Sequence, residues 1–311
     1  MKEKELKHLL DRERNKGDVR KIFAKQIELL IDLANYGSNL ILRAFDSSKK
    51  RLEDVIVICV LLKQVVAMLD AVEVLVSHGV IKPASLQARC AFEASLYIDF
   101  ILAGDAEKKA RYYYIANLRN KRLWELRYTR GSGEREAFSH VYKYLEGHMD
   151  QENPQLLGEI KKDIEDIDRV LKKDNVINEK YEKMRNKKTG EEAFWYKAYG
   201  VKSLKQIAEK VGRLAEYEIF YPAGSEVTHS MSYRDHVRLN EGMVTFEPIR
   251  ILEGVDSVLQ NIIGIALSSY KSILKHYRYG EINNFRRKYI RDWRDGYQNI
   301  PHVTYDVEVL T

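Results

Sequence analysis

Apolar residues recur at three- and four-residue spacing along most of the chain, the period of helices that bury one face. Ile22, Ile27, Leu30, Leu33, Leu40 and Ile41 mark a helix over about 18–45, after a charged first helix ending near Gly17. A polar break, DSSKKRLED, precedes the most apolar run of the chain, VIVICVLLKQVVAMLDAVEVLV at 55–76. Lys63, Gln64, Asp70 and Glu73 interrupt that run. A bilayer span tolerates such residues badly, so the pattern predicts a buried core helix over 52–78, stopped at Gly79.

Pro83 near a helix start and Gly104 just past an end bracket a further helix at 83–103. The periodicity continues through helices at about 105–129, 134–147 and 154–173, then two shorter ones at 203–213 and 213–221. Residues 174–202 read as polar and irregular. The segment VRLNEGMVTFEP at 237–248 holds a short β-hairpin around Asn240–Gly242. A long helix at 248–277 carries Ile251, Val255, Val258, Leu259, Ile262, Ile265 and Leu267. The fold class is all-α, an irregular multi-helix bundle with that one hairpin.

Composition supports this reading. The 311 residues include five prolines and 17 glycines, too few for a loop-rich or all-β chain. A hydrophobic content of 45% beside 32% charged residues is the balance of a globular protein. The net charge of +6 permits a nucleic-acid partner without demanding one. Cys59 and Cys90 both lie in apolar helical patterns and read as buried reduced thiols of a cytoplasmic protein. The charged N-terminus lacks the apolar stretch of a signal peptide, so no membrane association is expected.

Familiar catalytic motifs are absent: no phosphate-binding glycine loop, no Gly-x-Ser-x-Gly, no Cys-x-x-Cys, no His-Glu-x-x-His. Two other features carry candidate chemistry. In ARCAFEASLYIDF, Arg89 and Glu93 stand four residues apart, on one helical face and within ion-pair reach. Charges entering an apolar stripe need partners, so the pair either fixes helix packing or orients a third group. In YPAGSEVTHSMSYRDH at 221–236, a helix starting at Ser225 after a Pro222–Gly224 break places Ser225, His229, Ser232 and His236 on one polar stripe. Ser225 then reads as an N-cap or a site residue, and His229 as a core histidine or a general acid or base. His229 and His236 lie about 10 Å apart along such a helix, too far for one metal ion, so neither metal nor cofactor is expected.

Two segments interleave basic and aromatic residues, KKARYYYIANLRNKRLWELRYTR at 108–130 and FRRKYIRDWR at 285–294. The first offers Lys108, Lys109, Arg111, Arg119, Lys121 and Arg122 to phosphates, unless its basic residues simply face water.

The stretch ARCAFEASLYIDFIL, followed far downstream by SEVTH, resembles a bacterial domain-of-unknown-function family, the one numbered five-six-seven-seven. Its members pair an Arg-x-x-x-Glu helix with a later Ser-x-x-x-His element. The resemblance makes 51–240 a family-like core within a single helical domain spanning 1–311, flanked by N-terminal helices at 1–50 and C-terminal helices and tail at 241–311. In outline the family is similar to the wider group of HEPN helical domains, many of them metal-independent ribonucleases of toxin and antiviral systems. That similarity implies a homodimer with Arg and His at the protomer interface, an RNA partner and a regulatory protein partner. The charge pair and the polar stripe, read together, make Arg89, Glu93, His229 and Ser225 the candidate catalytic residues. The group's own spacing, Arg to His in four to six residues, is met only by Arg135 and His140 in REAFSH. The alternative expectation is a non-catalytic helical binding or scaffold protein.

Overall fold

A computed structural model describes residues 6–47, 55–145, 154–228, 236–240 and 243–304, with side chains described except at 145, 223–228, 238–240 and 243. The first helices are α1 (Arg12–Ile22), α2 (Ala24–Ser47), α3 (Val57–Ser77), α4 (Ile81–Leu102) and α5 (Ala106–Tyr128). There follow α6 (Gly133–Ala137), α7 (Ser139–Leu145), α8 (Pro154–Lys173), α9 (Asn175–Met184), α10 (Leu204–Lys210) and α11 (Leu214–Thr228). Strands β1 (Val237–Asn240) and β2 (Met243–Phe246) pair antiparallel, with Val237 opposite Phe246. The chain closes with α12 (Val255–Tyr277), α13 (Ile282–Lys288) and α14 (Arg294–Gln298), the last two joined by a π turn at Tyr289–Trp293. The all-α class and the hairpin are as the hydrophobic pattern predicts.

Several boundaries differ. The first helix runs through Gly17, and the break falls at Phe23. Residues 175–184, read as irregular, form α9. That helix buries one residue, Tyr181, too little for a periodic signal. Most consequential, α11 continues through Pro222 to Thr228, so no break at Pro222–Gly224 exists and Ser225 lies in the last helical turn instead of starting a helix. Proline removes one N–H and leaves the Glu218 carbonyl without its usual donor. Glu218 is exposed, so water can serve that carbonyl and the helix tolerates the interruption.

Contacts divide the chain into two compact units, one of residues 1–51, 58–104 and 204–311, the other of 52–57 and 105–203. The sequence reading of one domain with insertions left these limits undrawn. In the first unit, α12 lies along α4, and α2 and α11 pack against α12 and α4 respectively. Ala84, Ala88, Ala91 and Ala94 on α4 are buried, and short side chains let neighbouring helices come close. Gly37 on α2 permits the tightest approach. A Cβ there would stand 2.6 Å from Val66 Cγ2 and 2.7 Å from Tyr270 Cζ, well inside contact distance. The buried Tyr270 hydroxyl donates to the Leu33 carbonyl at 2.9 Å.

The C-terminal helices are seated on α2 by an aromatic cluster. The Tyr36 ring lies 5.7 Å from Phe285 and 5.2 Å from Trp293, centre to centre. Eight residues of ordinary α-helix would rotate Trp293 about 80° away from Phe285. The wider π turn between them absorbs that difference. In the second unit, α5 packs against α8, α9 and α6. Tyr181 is its deepest polar group, its hydroxyl 3.1 Å from the carbonyls of both Tyr112 and Trp195.

Candidate active site on the α4–α11 seam

The four-residue spacing of Arg89 and Glu93 on α4 gives the ion pair it predicts, with Nε 3.3 Å from Oε1. Neither group is deeply buried: the side chains are 15% and 34% exposed. The pair therefore sits at the rim of the apolar stripe and not within it. Its further partner comes from α11. Arg89 Nη2 donates to the Tyr221 hydroxyl at 2.7 Å, and the guanidinium carbon stands 4.2 Å from the centre of the same ring. One helical turn earlier, Tyr217 stacks on Tyr221 with ring centres 4.6 Å apart and planes 18° from parallel. A phenol that accepts from Arg89 keeps its own O–H proton for another acceptor. The result is a fixed cation, a carboxylate and a polarised hydroxyl on one seam.

The start of α11 is pinned by a residue outside the sequence-derived candidates, Arg213. Its side chain is 7% exposed and donates to Ser95 Oγ at 2.9 Å, to Asp99 Oδ2 at 2.8 Å and to Glu216 Oε2 at 2.6 Å. Burial alone would favour the neutral guanidine, but Glu216 and Asp99 outweigh it and hold the group more basic than usual. Ser272 on α12 donates to the other Asp99 oxygen at 2.7 Å. Thus Asp99, recognisable in the sequence only as a carboxylate near Tyr97, ties three helices together, and Phe92 meets Phe220 edge-on beside it.

The other candidate residues divide as follows. Ser225 lies in α11 one turn beyond Tyr221, and its side chain and the whole of His229 lie outside what is described. His236 is exposed beside β1, and its carbonyl accepts from the Glu247 amide. Cys59 is buried as expected, whereas Cys90 is exposed because it falls on the outer side of α4, next to Arg89. The REAFSH motif spans α6 and α7. Arg135 in α6 donates to the Tyr128 carbonyl and lies over the Tyr142 ring, while His140 belongs to α7. Among the described residues, no group of three His, Cys, Asp or Glu side chains has the spacing of a metal site.

The basic stripe of α5 proves to be largely neutralised from within its own unit. Arg111 pairs with Asp174, Lys121 with Asp163 at 2.5 Å and Arg122 with Asp168 at 2.6 Å. Arg119 is 6% exposed and grips Glu192 through two nitrogens, at 2.8 and 3.0 Å, with Glu182 at 2.6 Å. Lys108 is exposed and Lys109 half-buried. A cleft of about 400 Å³ opens over these pairs, where Arg119, Arg122 and Arg185 face Asp168, Glu182 and Glu192. Its charges are matched, so it offers no net field to an anion.

The fold and this seam define a class: an all-α protein with an arginine–carboxylate–phenol centre between two packed helices. More particularly, the chain belongs to a family of unknown function, DUF5677, whose model matches residues 55–244 and so takes in Arg89, Glu93, Tyr221, Ser225 and His229. No curated protein and no solved structure matches it. Among the described residues, no helix is long and apolar enough to cross a membrane.

Proposed function

We propose that the chain is an RNA-directed, metal-independent endoribonuclease-like effector of bacterial toxin or antiviral-defence type, acting through Arg89, Glu93, Ser225 and His229. The observation that carries this reading is the Arg89–Tyr221 pair. It fixes a guanidinium at the edge of a helix seam, against the α11 residue one turn before Ser225. An arginine held this way is pre-organised to stabilise negative charge, the largest single contribution an active site makes.

In the proposed step the 2′-hydroxyl oxygen attacks the adjacent phosphorus and gives its proton to the His229 imidazole. The bond to the 5′-oxygen breaks, that oxygen takes a proton from water, the proton on His229 returns to solvent, and a cyclic phosphate and a 5′-hydroxyl result. Arg89 carries the charge of the phosphorane, and Glu93 orients Arg89. The toxin or defence setting and the homodimer rest on the HEPN likeness.

The test is incubation of the purified protein with total cellular RNA beside its His229→Ala and Arg89→Gln variants. Cleavage by the parent chain and its loss in both variants is the expected result. RNA left equally intact by all three sinks the proposal. A second reading, a non-catalytic helical scaffold, draws on a specific observation: Arg89 ties α4 to α11, a purely structural use. It requires Glu93→Gln to lower thermal stability with no activity to lose.

A further inference from the structure

We infer that the outer face of the C-terminal helical run, residues 282–298, is an RNA-backbone-binding surface. The run holds five basic residues and two acidic ones. Its aromatic side faces inward, with Ile290 the one large apolar residue of the run left exposed: Phe285 and Trp293 are buried against Tyr36, and Gly296 lies against Leu29. Asp32 on α2 accepts from both Trp293 Nε1 and Lys288 Nζ, each at 2.7 Å, which fixes the rotation of the run. With that side committed, Arg286, Arg287, Arg291 and Arg294 are left on the exposed side.

Of these four, the acids of the run pair Arg291 and leave Arg286, Arg287 and Arg294 outside their ion pairs. Asp292 is occupied by Lys288 and by its neighbour Arg291, and Asp295 by Lys25. Arg287 reaches only the side chain of Asn284. Arg286 and Arg294 stand eight residues apart, about 12 Å along the axis, a span of several successive phosphates. This is the reverse of α5, whose cations are consumed by the acids of its own unit.

The chemistry selects the partner. Arginine forks suit phosphate oxygens. An interfacial membrane helix must insert an apolar face, and here that face is spent on Tyr36. The rings turn inward, so stacking on bases contributes nothing and binding reads the phosphate backbone without sequence preference. The inference deepens the ribonuclease reading by giving its substrate a holding surface, yet it stands on separate residues.

The experiment measures anisotropy of a labelled oligoribonucleotide of mixed sequence across a salt series. It uses the full chain carrying His229→Ala, with and without Arg286→Gln/Arg294→Gln. Both arginines are exposed and neither anchors a buried partner, so the double variant should keep its circular dichroism spectrum. Expected is a log–log salt slope of about −2 to −3, shallower by about 1.4 in the double variant, at ~0.7 per phosphate contact. Equal affinity and slope in the two proteins overturns the inference, as does binding to anionic phosphatidylglycerol vesicles or to polyglutamate in place of RNA. RNA cleaved by the parent chain while the double variant binds unchanged removes this surface and leaves the ribonuclease reading. Salt-dependent binding lost in the double variant, with no cleavage, does the opposite.

Discussion

Arg89 meets Tyr221 in two ways at once, donating a hydrogen bond to its hydroxyl and lying against its ring, across 132 positions of sequence. The first contact depends on the oxygen and the second only on the ring, so chemistry and packing can be separated by one atom. Tyr221→Phe keeps the stacking and deletes the acceptor. Stability should fall by about 1 kcal/mol. RNA cleavage should slow about tenfold, worth about 1.4 kcal/mol of transition-state positioning. Single-turnover kinetics beside a thermal melt check this, and an unchanged rate would remove Tyr221 from the site.

Arg213→Met should be among the most damaging single changes in the first unit. It leaves the Asp99 carboxylate with the uncharged Ser272 hydroxyl in place of a cation, and breaking a buried pair costs about 3 kcal/mol or more. Chemical denaturation reads the loss. Pairing it with Asp99→Asn should recover part of it, since the stranded charge is then gone.

Acid should loosen the second unit through Glu182. The hydrogen bond from Arg119 holds the Glu182 carboxyl below its usual pKa, against a smaller opposing effect of burial. A group depressed on folding stabilises above its unfolded pKa of about 4.3, and that contribution disappears as pH falls through the lowered value. Melting followed from pH 6 to 3 (round values about the carboxylate range) should therefore show a loss that Glu182→Gln makes smaller. A variant with the same acid profile as the parent would assign the effect elsewhere.

The thiol of Cys90 offers a probe of the seam. Its apolar helical surroundings, and then the Glu93 carboxylate, raise its pKa above that of a free cysteine. Less thiolate is present near neutrality, so iodoacetamide should label Cys90 more slowly than a model thiol, with the rate rising at alkaline pH. Glu93→Gln should accelerate labelling at neutral pH. Mass spectrometry of the α4 peptide over a pH series decides it.

Much of this arrangement was legible in the residues. Helix periodicity located α4 and α12 because each buries a continuous apolar face, and a four-residue spacing was enough to foresee Arg89 beside Glu93. Tyr221 escaped notice because its partner Arg89 lies 132 positions away, and an aromatic near a helix end gives no local sign of such a contact. Nothing near Arg213 in sequence announces Asp99 and Ser95, more than a hundred positions away. The cationic appearance of α5 misled for the same reason. The acids that quench it arrive 42 to 73 residues later, and one sits beside a helix that sequence periodicity did not detect.

Gly37 has a bearing on how such chains diverge. The α2–α12 contact leaves no room for a methyl group beneath the Tyr270 ring, yet glycine is a poor helix former and confers nothing by itself. Positions 37 and 270 are consequently bound to one another in evolution: a relative with alanine or serine at the first must carry a smaller residue at the second and make room at Val66 as well. Such a relative would forfeit the second hydrogen bond that the Leu33 carbonyl accepts, the one from the Tyr270 hydroxyl. Paired change at these two sites is a signature by which distant members of the family could be aligned where their loops no longer correspond.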